Sequence, residues 1–375
     1  MALWTYRNPV RVTFGWDALD GIADLVAGRA YALVTHPDAP LASLRQRLVD
    51  RAGTPTAVID KVQPNPSLET LREACQQLLD AERTPEVLVA LGGGSVIDSA
   101  KFLAAGRGDW RSVADHLREG VAPTISALPI IAIPTTAGTG SDLTRWATIW
   151  DPENARKLSL ARDDLYPEAV LVDPALTLGL PWATTLASGL DALSHALESL
   201  WNVNASPVSR GLAVSAARDI LAGLVGLRAD IGDAKARELM SLGALRAGLA
   251  FSNTQTALAH NISYALTLEQ GIAHGLACSF CLPDVMDAAL GADPRCDAAL
   301  SEIFGDLPEA SGKLRGFLAT LGVSTDFQDY GVAPERWRII VTDAFAGPRG
   351  RNFIGSIDRF PFPQPAASQR AGAYP

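Results

Sequence analysis

The chain has 375 residues, enough for two ordinary domains. Hydrophobic residues make up 48% and charged residues 19%, which permits large cores and excludes a globally disordered chain. A net charge of −9 with no basic run argues against nucleic acid and against anionic membrane surfaces as partners.

The N-terminal stretch MALWTYRNPVRVTFG lacks a basic region followed by an apolar run, so it does not read as a signal peptide. No segment approaches the ~20 apolar residues that span a bilayer. A soluble, cytoplasmic protein with no membrane partner is the expectation.

In chain order, Ala32–Thr35, Thr56–Ile59, Val87–Ala90 and Ile130–Ile133 are apolar runs of strand length. Amphipathic stretches such as Leu68 to Ala81 separate them. Alternation of this kind predicts a parallel sheet covered by helices. After Leu180-Pro181 the texture changes to Ala and Leu at helical spacing, which predicts an all-helical second half. The expected domains are 1–182, α/β and nucleotide-binding, and 183–375, helical and metal-binding. The Pro- and Ala-rich tail from Pro361 is expected to fray.

Gly92-Gly93-Gly94-Ser95-Val-Ile-Asp98 follows a predicted strand and opens a predicted helix. Consecutive glycines let the backbone approach a ligand, and a helix N-terminus offers unpaired N–H groups to a pyrophosphate. The motif is not G-x-G-x-x-G. A second segment, Thr135-Thr136-Ala-Gly-Thr139-Gly-Ser141, also follows a strand and is dense in hydroxyls and small residues. Two such loops predict a long phosphorylated ligand across the sheet edge.

Asp191 and His195 lie four apart and share a helix face, about 6 Å apart along the axis. His260 and His274 would be about 21 Å apart on one continuous helix, so a shared ion requires the chain to fold back. Leu268-Glu-Gln-Gly271 offers the break. One carboxylate with three imidazoles suits Fe2+ or Zn2+. His36 and His116, the other two histidines, have no second candidate ligand at such sequence spacing and fall outside the metal set. Cys278 and Cys281 form C-x-x-C without a second ligand pair, which favours buried helical thiols. Cys75 and Cys296 make four cysteines in all, too few for a disulfide framework.

These motifs, with Leu171-Val-Asp-Pro-Ala-Leu-Thr177, match in order and spacing along essentially the whole chain. The chain resembles the iron-containing (group III) alcohol dehydrogenases, whose fold is that of the dehydroquinate-synthase-like enzymes. The resemblance implies an α/β nucleotide-binding domain, a helical metal domain and a site between them. It implies reduction of an aldehyde to a primary alcohol by NADH or NADPH, with Asp191, His195, His260 and His274 as metal ligands. The cofactor residues it implies are Gly92, Gly93, Gly94, Ser95, Asp98, Thr135, Thr136, Thr139, Ser141 and Lys157. His36 stands where NAD-preferring relatives carry an acid, which admits NADPH. Tyr264 stands where many members carry a further histidine, which leaves the proton route open.

The segments around His260 and His274 are similar to phosphonoacetaldehyde reductases, which make 2-hydroxyethylphosphonate in phosphonate natural-product biosynthesis. That resemblance turns attention to Arg145 and Trp146, and to Arg349 and Arg351, as residues for an anionic substrate. Other readings are a general group III dehydrogenase, a dehydroquinate-synthase-like lyase, and a catalytically silent binding protein. The oligomeric state stays open, a homodimer included.

Overall fold

The computed structural model describes residues 3–37, 39–121, 125–154 and 156–362. Its strands are β1 (Arg11–Phe14), β2 (Tyr31–Thr35), β3 (Ala57–Ile59), β4 (Val87–Gly92), β5 (Ile130–Pro134), β6 (Trp146–Asp151), β7 (Arg156–Ala161) and β8 (Ala169–Val172). Six of them form one sheet in the order β1-β8-β5-β4-β2-β3, with every neighbouring pair parallel.

The central strands are apolar at every position because both faces are covered. Leu33, Val89, Leu91, Ile131 and Ile133 pack on one side against α1 (Ile22–Val26) and α2 (Ala39–Ala52). Ala32, Val34, Leu88, Ala90 and Ala132 pack on the other against α3 (Leu68–Leu79), α4 (Gly94–Gly106) and α5 (Trp110–Glu119).

From Trp182 onward the described chain is helical: α6 (Trp182–Leu200), α7 (Pro207–Ala229), α8 (Ala234–Thr254), α9 (Leu258–Gln270), α10 (His274–Ser279), α11 (Leu282–Ala289), α12 (Pro294–Phe304), α13 (Ala310–Thr320) and α14 (Pro334–Ala346). Their Ala- and Leu-rich faces close a separate core around Leu193, Leu197, Ile220 and Phe280. None of the described helices is long and apolar enough to cross a membrane.

The fold is thus the expected pairing of a parallel α/β half with a helical half. Three features go beyond the sequence expectation. β1 and β8 extend the sheet, and β6 pairs with β7 as an antiparallel hairpin laid against α4. The expected tail lies, from residue 363 on, outside the described residues.

Candidate metal and cofactor site

The chain runs from β2 outward to β3, then returns to place β4 on the other side of β2. Ligands of open parallel sheets bind beyond the carboxyl ends of the strands at such a reversal. His36 follows β2 there, and Gly92 to Gly94 end β4 and open α4. Gly93 precedes α4 without any side-chain cap, so the first N–H groups of α4 remain for an anion.

A Cβ on Gly93 would stand 3.3 Å from the Thr136 side chain, and one on Gly94 only 2.7 Å from that of Thr139. Sequence reasoning gave the bareness of these glycines to an approaching ligand. Their immediate neighbours are instead the residues of the second loop, so the glycines first let two loops nest. Thr135 N–H joins the loops by donating to the Gly92 carbonyl at 3.1 Å. Ser95 Oγ accepts from Asn65 N–H.

Asp98 and Ser141 are engaged inside the protein. The Ser141 hydroxyl donates to Asp98, which also accepts Thr148 N–H at 2.9 Å. Beneath them the fully buried Lys101 donates to the Ser141 and Trp146 carbonyls at 2.6 and 2.7 Å. Burial pushes the Lys101 ammonium down to about 8, with Asp98 and Asp142 opposing that shift. This network clamps the second loop and the hairpin onto α4.

The residues expected to hold the metal come from three helices. Asp191 and His195 share one face of α6. α9 carries His260 and ends at Gly271 in the left-handed conformation (φ 68°), and α10 begins afresh at His274. The break at Gly271 brings the His260 and His274 rings to 5.4 Å, against about 21 Å along an unbroken helix. His260 Nε2, His195 Nε2 and His274 Nε2 lie 3.4, 3.8 and 3.9 Å from Asp191 Oδ1.

Among the described residues, the donor atoms of Asp191, His260, His274 and Cys278 all lie within 4.8 Å of one another. His195 adjoins it, stacked between His260 and Phe251. A Cβ on Gly275 would fall 1.9 Å from the Ala187 carbonyl oxygen, so only glycine lets α10 lie this close to α6.

Glu198, which sequence reasoning did not single out, is wholly buried behind His260. It accepts from His260 Nδ1 at 2.6 Å and from the N–H groups of Ala257, Ala259 and His260. It therefore caps α9, which has no cap of its own, and fixes the tautomer that turns Nε2 toward Asp191. Its signal was available: Glu198 stands seven residues after Asp191 and three after His195, on the same face of one helix.

Burial works against the Asp191 carboxylate, but the surrounding imidazoles of His195, His274 and His260 hold it ionised, below the usual range. Burial depresses His195 to about 4, helped by His260 and opposed by Asp191. Burial, with Lys157, depresses His274 to about 3. Both shifts favour the neutral imidazole that a ligand must be. Asp191 Oδ1 and His260 Nε2 are buried without a hydrogen-bond partner among the described residues. An ionised carboxylate left this way is costly unless a cation completes it, and these residues fit one divalent ion.

Lys157, on β7, sits with its Nζ 4.1 Å from the centre of the Tyr264 ring, one turn after His260 on α9. Loss of solvent opposes ionisation of Tyr264, but Lys157, Arg349 and His260 outweigh it and hold the phenol below its ordinary range. Arg349 donates to Gln255 Oε1 at 2.5 Å. Trp146 approaches the cluster through Phe251, at 6.2 Å between ring centres. Arg145 instead ion-pairs with Asp163 at the surface, and Arg351 donates to the Ala346 carbonyl.

The model of the iron-containing alcohol dehydrogenases matches residues 9–174, and that of the Fe-containing alcohol dehydrogenase family, C-terminal, matches residues 185–354. The chain belongs to the iron-containing alcohol dehydrogenase family, a class of NAD(H)- and iron-using oxidoreductases.

Among its relatives, alcohol dehydrogenase 4 of Saccharomyces cerevisiae is 31% identical over 88% of this chain and 89% of its own length. Phosphonoacetaldehyde reductase of Streptomyces viridochromogenes is 32% identical over 73% of each chain. The crystal structure of sulfoacetaldehyde reductase from Bifidobacterium kashiwanohense in complex with NAD+ superposes with a TM-score of 0.87. It is 29% identical and covers 95% of this chain and 96% of that one.

Proposed function

We propose that this enzyme reduces a small aldehyde with an anionic head to its primary alcohol, with phosphonoacetaldehyde the foremost substrate. The observation that carries the reading is the position of Arg349 and Lys157. Lys157 Nζ stands over the Tyr264 ring, one helical turn from His260, and Arg349 reaches Gln255 just before α9, so two cations lie beside the helix that carries His260. A phosphonate or sulfonate head needs such donors. Two relatives, a phosphonoacetaldehyde reductase and a sulfoacetaldehyde reductase, support an oxyanion on a two-carbon aldehyde.

In this reading Asp191, His195, His260 and His274 hold the cation. When bound, the cation polarises the aldehyde carbonyl and the reduced nicotinamide supplies hydride. Gly93, Gly94 and the Thr135 to Ser141 loop receive the pyrophosphate at the start of α4. Lys157 would reach the nicotinamide ribose and, with Arg349, would orient the substrate head. Tyr264 Oη, whose environment favours proton release, is the group that returns a proton to the nascent alcohol oxygen. His36 after β2 places no carboxylate against a ribose 2′-phosphate, which favours NADPH slightly over NADH.

The test compares Arg349→Ala with wild type on phosphonoacetaldehyde and on an uncharged aldehyde of similar size. The expected result is a loss of roughly tenfold or more in kcat/KM for the phosphonate and little change for the neutral aldehyde. Equal effects on both would remove the anion from the proposal and leave a general aldehyde reductase. Arg145→Ala and Arg351→Ala, whose guanidinium groups are engaged elsewhere, serve as comparison variants.

A further inference from the structure

We propose that residues Tyr6 to Asn8 clasp the far end of α8 and set the width of the cleft, with Asn8 the positioning residue for hydride transfer. The proposal rests on the reading that hydride crosses from a nicotinamide held by the α/β half to an aldehyde at Asp191 and its histidines.

The two halves share one covalent crossing, between the end of β8 at Val172 and the start of α6 at Trp182. α8 of the helical half is pinned to that crossing near its own beginning. There the fully buried Arg237 donates to the Thr185 hydroxyl at 2.8 Å and to the Leu180 carbonyl at 3.0 Å. Ser252 lies about 22 Å further along α8 at 1.5 Å per residue. A helix tied at one end leaves the other free to swing, so a second tie at the far end fixes the angle between the halves.

The N-terminal segment supplies that tie. It leads into β1 and so belongs to the sheet, yet its polar groups engage α8. The Tyr6 hydroxyl donates to the Leu249 carbonyl at 3.2 Å, and the Arg7 N–H donates to Asn253 Oδ1 at 2.9 Å. Burial pushes the Tyr6 phenol up to about 12, so this donor keeps its proton. Asn8 Nδ2 donates both to the Leu143 carbonyl at 2.9 Å and to Ser252 Oγ at 3.1 Å, while Asn8 Oδ1 accepts the Val10 N–H. One side-chain amide thus spans the two halves.

Each end of this bridge leads to the site. Leu143 closes the turn that begins at Ser141, whose carbonyl accepts from Lys101 and whose hydroxyl donates to Asp98. Ser252 follows Phe251, whose ring stacks on His195 at 4.0 Å. A Cβ on Gly140 would stand 2.5 Å from the Phe251 ring, and one on Gly248 would stand 2.6 Å from the Leu143 side chain, so loop and helix touch across the cleft. Slack at Asn8 would shift the nicotinamide against the metal residues while leaving each binding set intact. A displacement of ~1 Å between reacting groups costs up to about 100-fold in rate.

The experiment compares wild type with Asn8→Ala and Asn8→Asp on the phosphonate and neutral aldehydes named above. The aspartate keeps an acceptor for the Val10 N–H, but its carboxylate cannot donate to Leu143 or Ser252. Measured are kcat, the isotope effect with nicotinamide deuterated at the transferred position, the cofactor dissociation constant and bound metal. Both variants should lose about tenfold in kcat and show a larger isotope effect, as hydride transfer becomes the slow step. Cofactor affinity and metal content should stay as in wild type. Unchanged kcat and isotope effect overturn the proposal. A loss of kcat that tracks a loss of cofactor or metal also overturns it, because Asn8 would then serve the fold alone. Hydrogen exchange on the same proteins needs no turnover: peptides 139–146 and 249–256 should exchange faster in both variants, and equal exchange overturns the clasp. A wild type that turns over neither aldehyde, with exchange differing as expected, refutes the functional reading and supports the clasp.

Discussion

Glu198 satisfies three backbone N–H groups and one imidazole at once, and its carboxylate stays ionised. Burial opposes that charge, while His260 and the N–H donors of the α9 terminus stabilise it and hold the group below the usual carboxylate range. Replacing it with glutamine keeps an acceptor for the helix but removes the negative charge that holds the Nδ1 proton of His260. Glu198→Gln should therefore fold and bind the cation about 10–100-fold more weakly. A competition titration against a chelator measures this, and an unchanged dissociation constant would show that Glu198 serves α9 alone. Its neighbours behave differently: removing His260 or His274 deletes a donor outright.

At the scale of elements, the site depends on how closely α10 approaches α6. Gly275→Ala would drive a methyl group into the Ala187 carbonyl, and neither helix can yield without moving His274 or Asp191. The variant should lose about 1–3 kcal/mol of stability and most of its bound metal together. Denaturant unfolding and metal analysis on the same preparation test this, and a stable variant with full metal would refute the packing argument.

The same elements show what was legible in the sequence. Val87–Ala90 and Ile130–Ile133 announced themselves because a strand buried on both faces is apolar throughout. β1 did not, since Arg11-Val-Thr-Phe14 is a four-residue edge strand with mostly exposed side chains. The β6–β7 hairpin was hidden because Asp151 and Lys157 interrupt its pattern. The need for a fold-back between His260 and His274 could be read from helix geometry, and Gly271 supplies it. Glu198 was passed over because it supports a ligand from its own helix face, and a glutamate alone signals no site, whereas Cys278 and Cys281 are the buried helical thiols expected.

Across the whole molecule, the nucleotide edge and the metal cluster come from opposite halves, joined by the hairpin through Lys157 and by Phe251 through Trp146. The cluster itself ties α6, α9 and α10 together, so the cation contributes to stability as well as to chemistry. An ion at 100 times its dissociation constant stabilises the native state by about 2.7 kcal/mol. Chelation should then lower the unfolding temperature by roughly 3 °C, and re-addition of the ion should restore it. Calorimetry of the apo and reloaded protein measures the shift. Identical transitions would mean that nothing binds where Asp191 Oδ1 and His260 Nε2 lack hydrogen-bond partners among the described residues.

Gln255 occupies a backbone conformation, φ 65° and ψ 175°, in which glycine alone is at ease. Side chains held there cost about 1–3 kcal/mol. A glycine would forfeit about 0.4–1 kcal/mol through the greater freedom of the unfolded chain, and would still leave a firmer fold. What it would surrender is the amide that receives Arg349. Position 255 is thus a point where robustness has been given up for readiness: the chain endures a locally unfavourable turn so that a guanidinium arrives at the cleft already aimed. An engineer seeking a hardier protein would be drawn to this residue first and, on the proposed function, would find that the gain in durability came with a loosened grip on the anionic head.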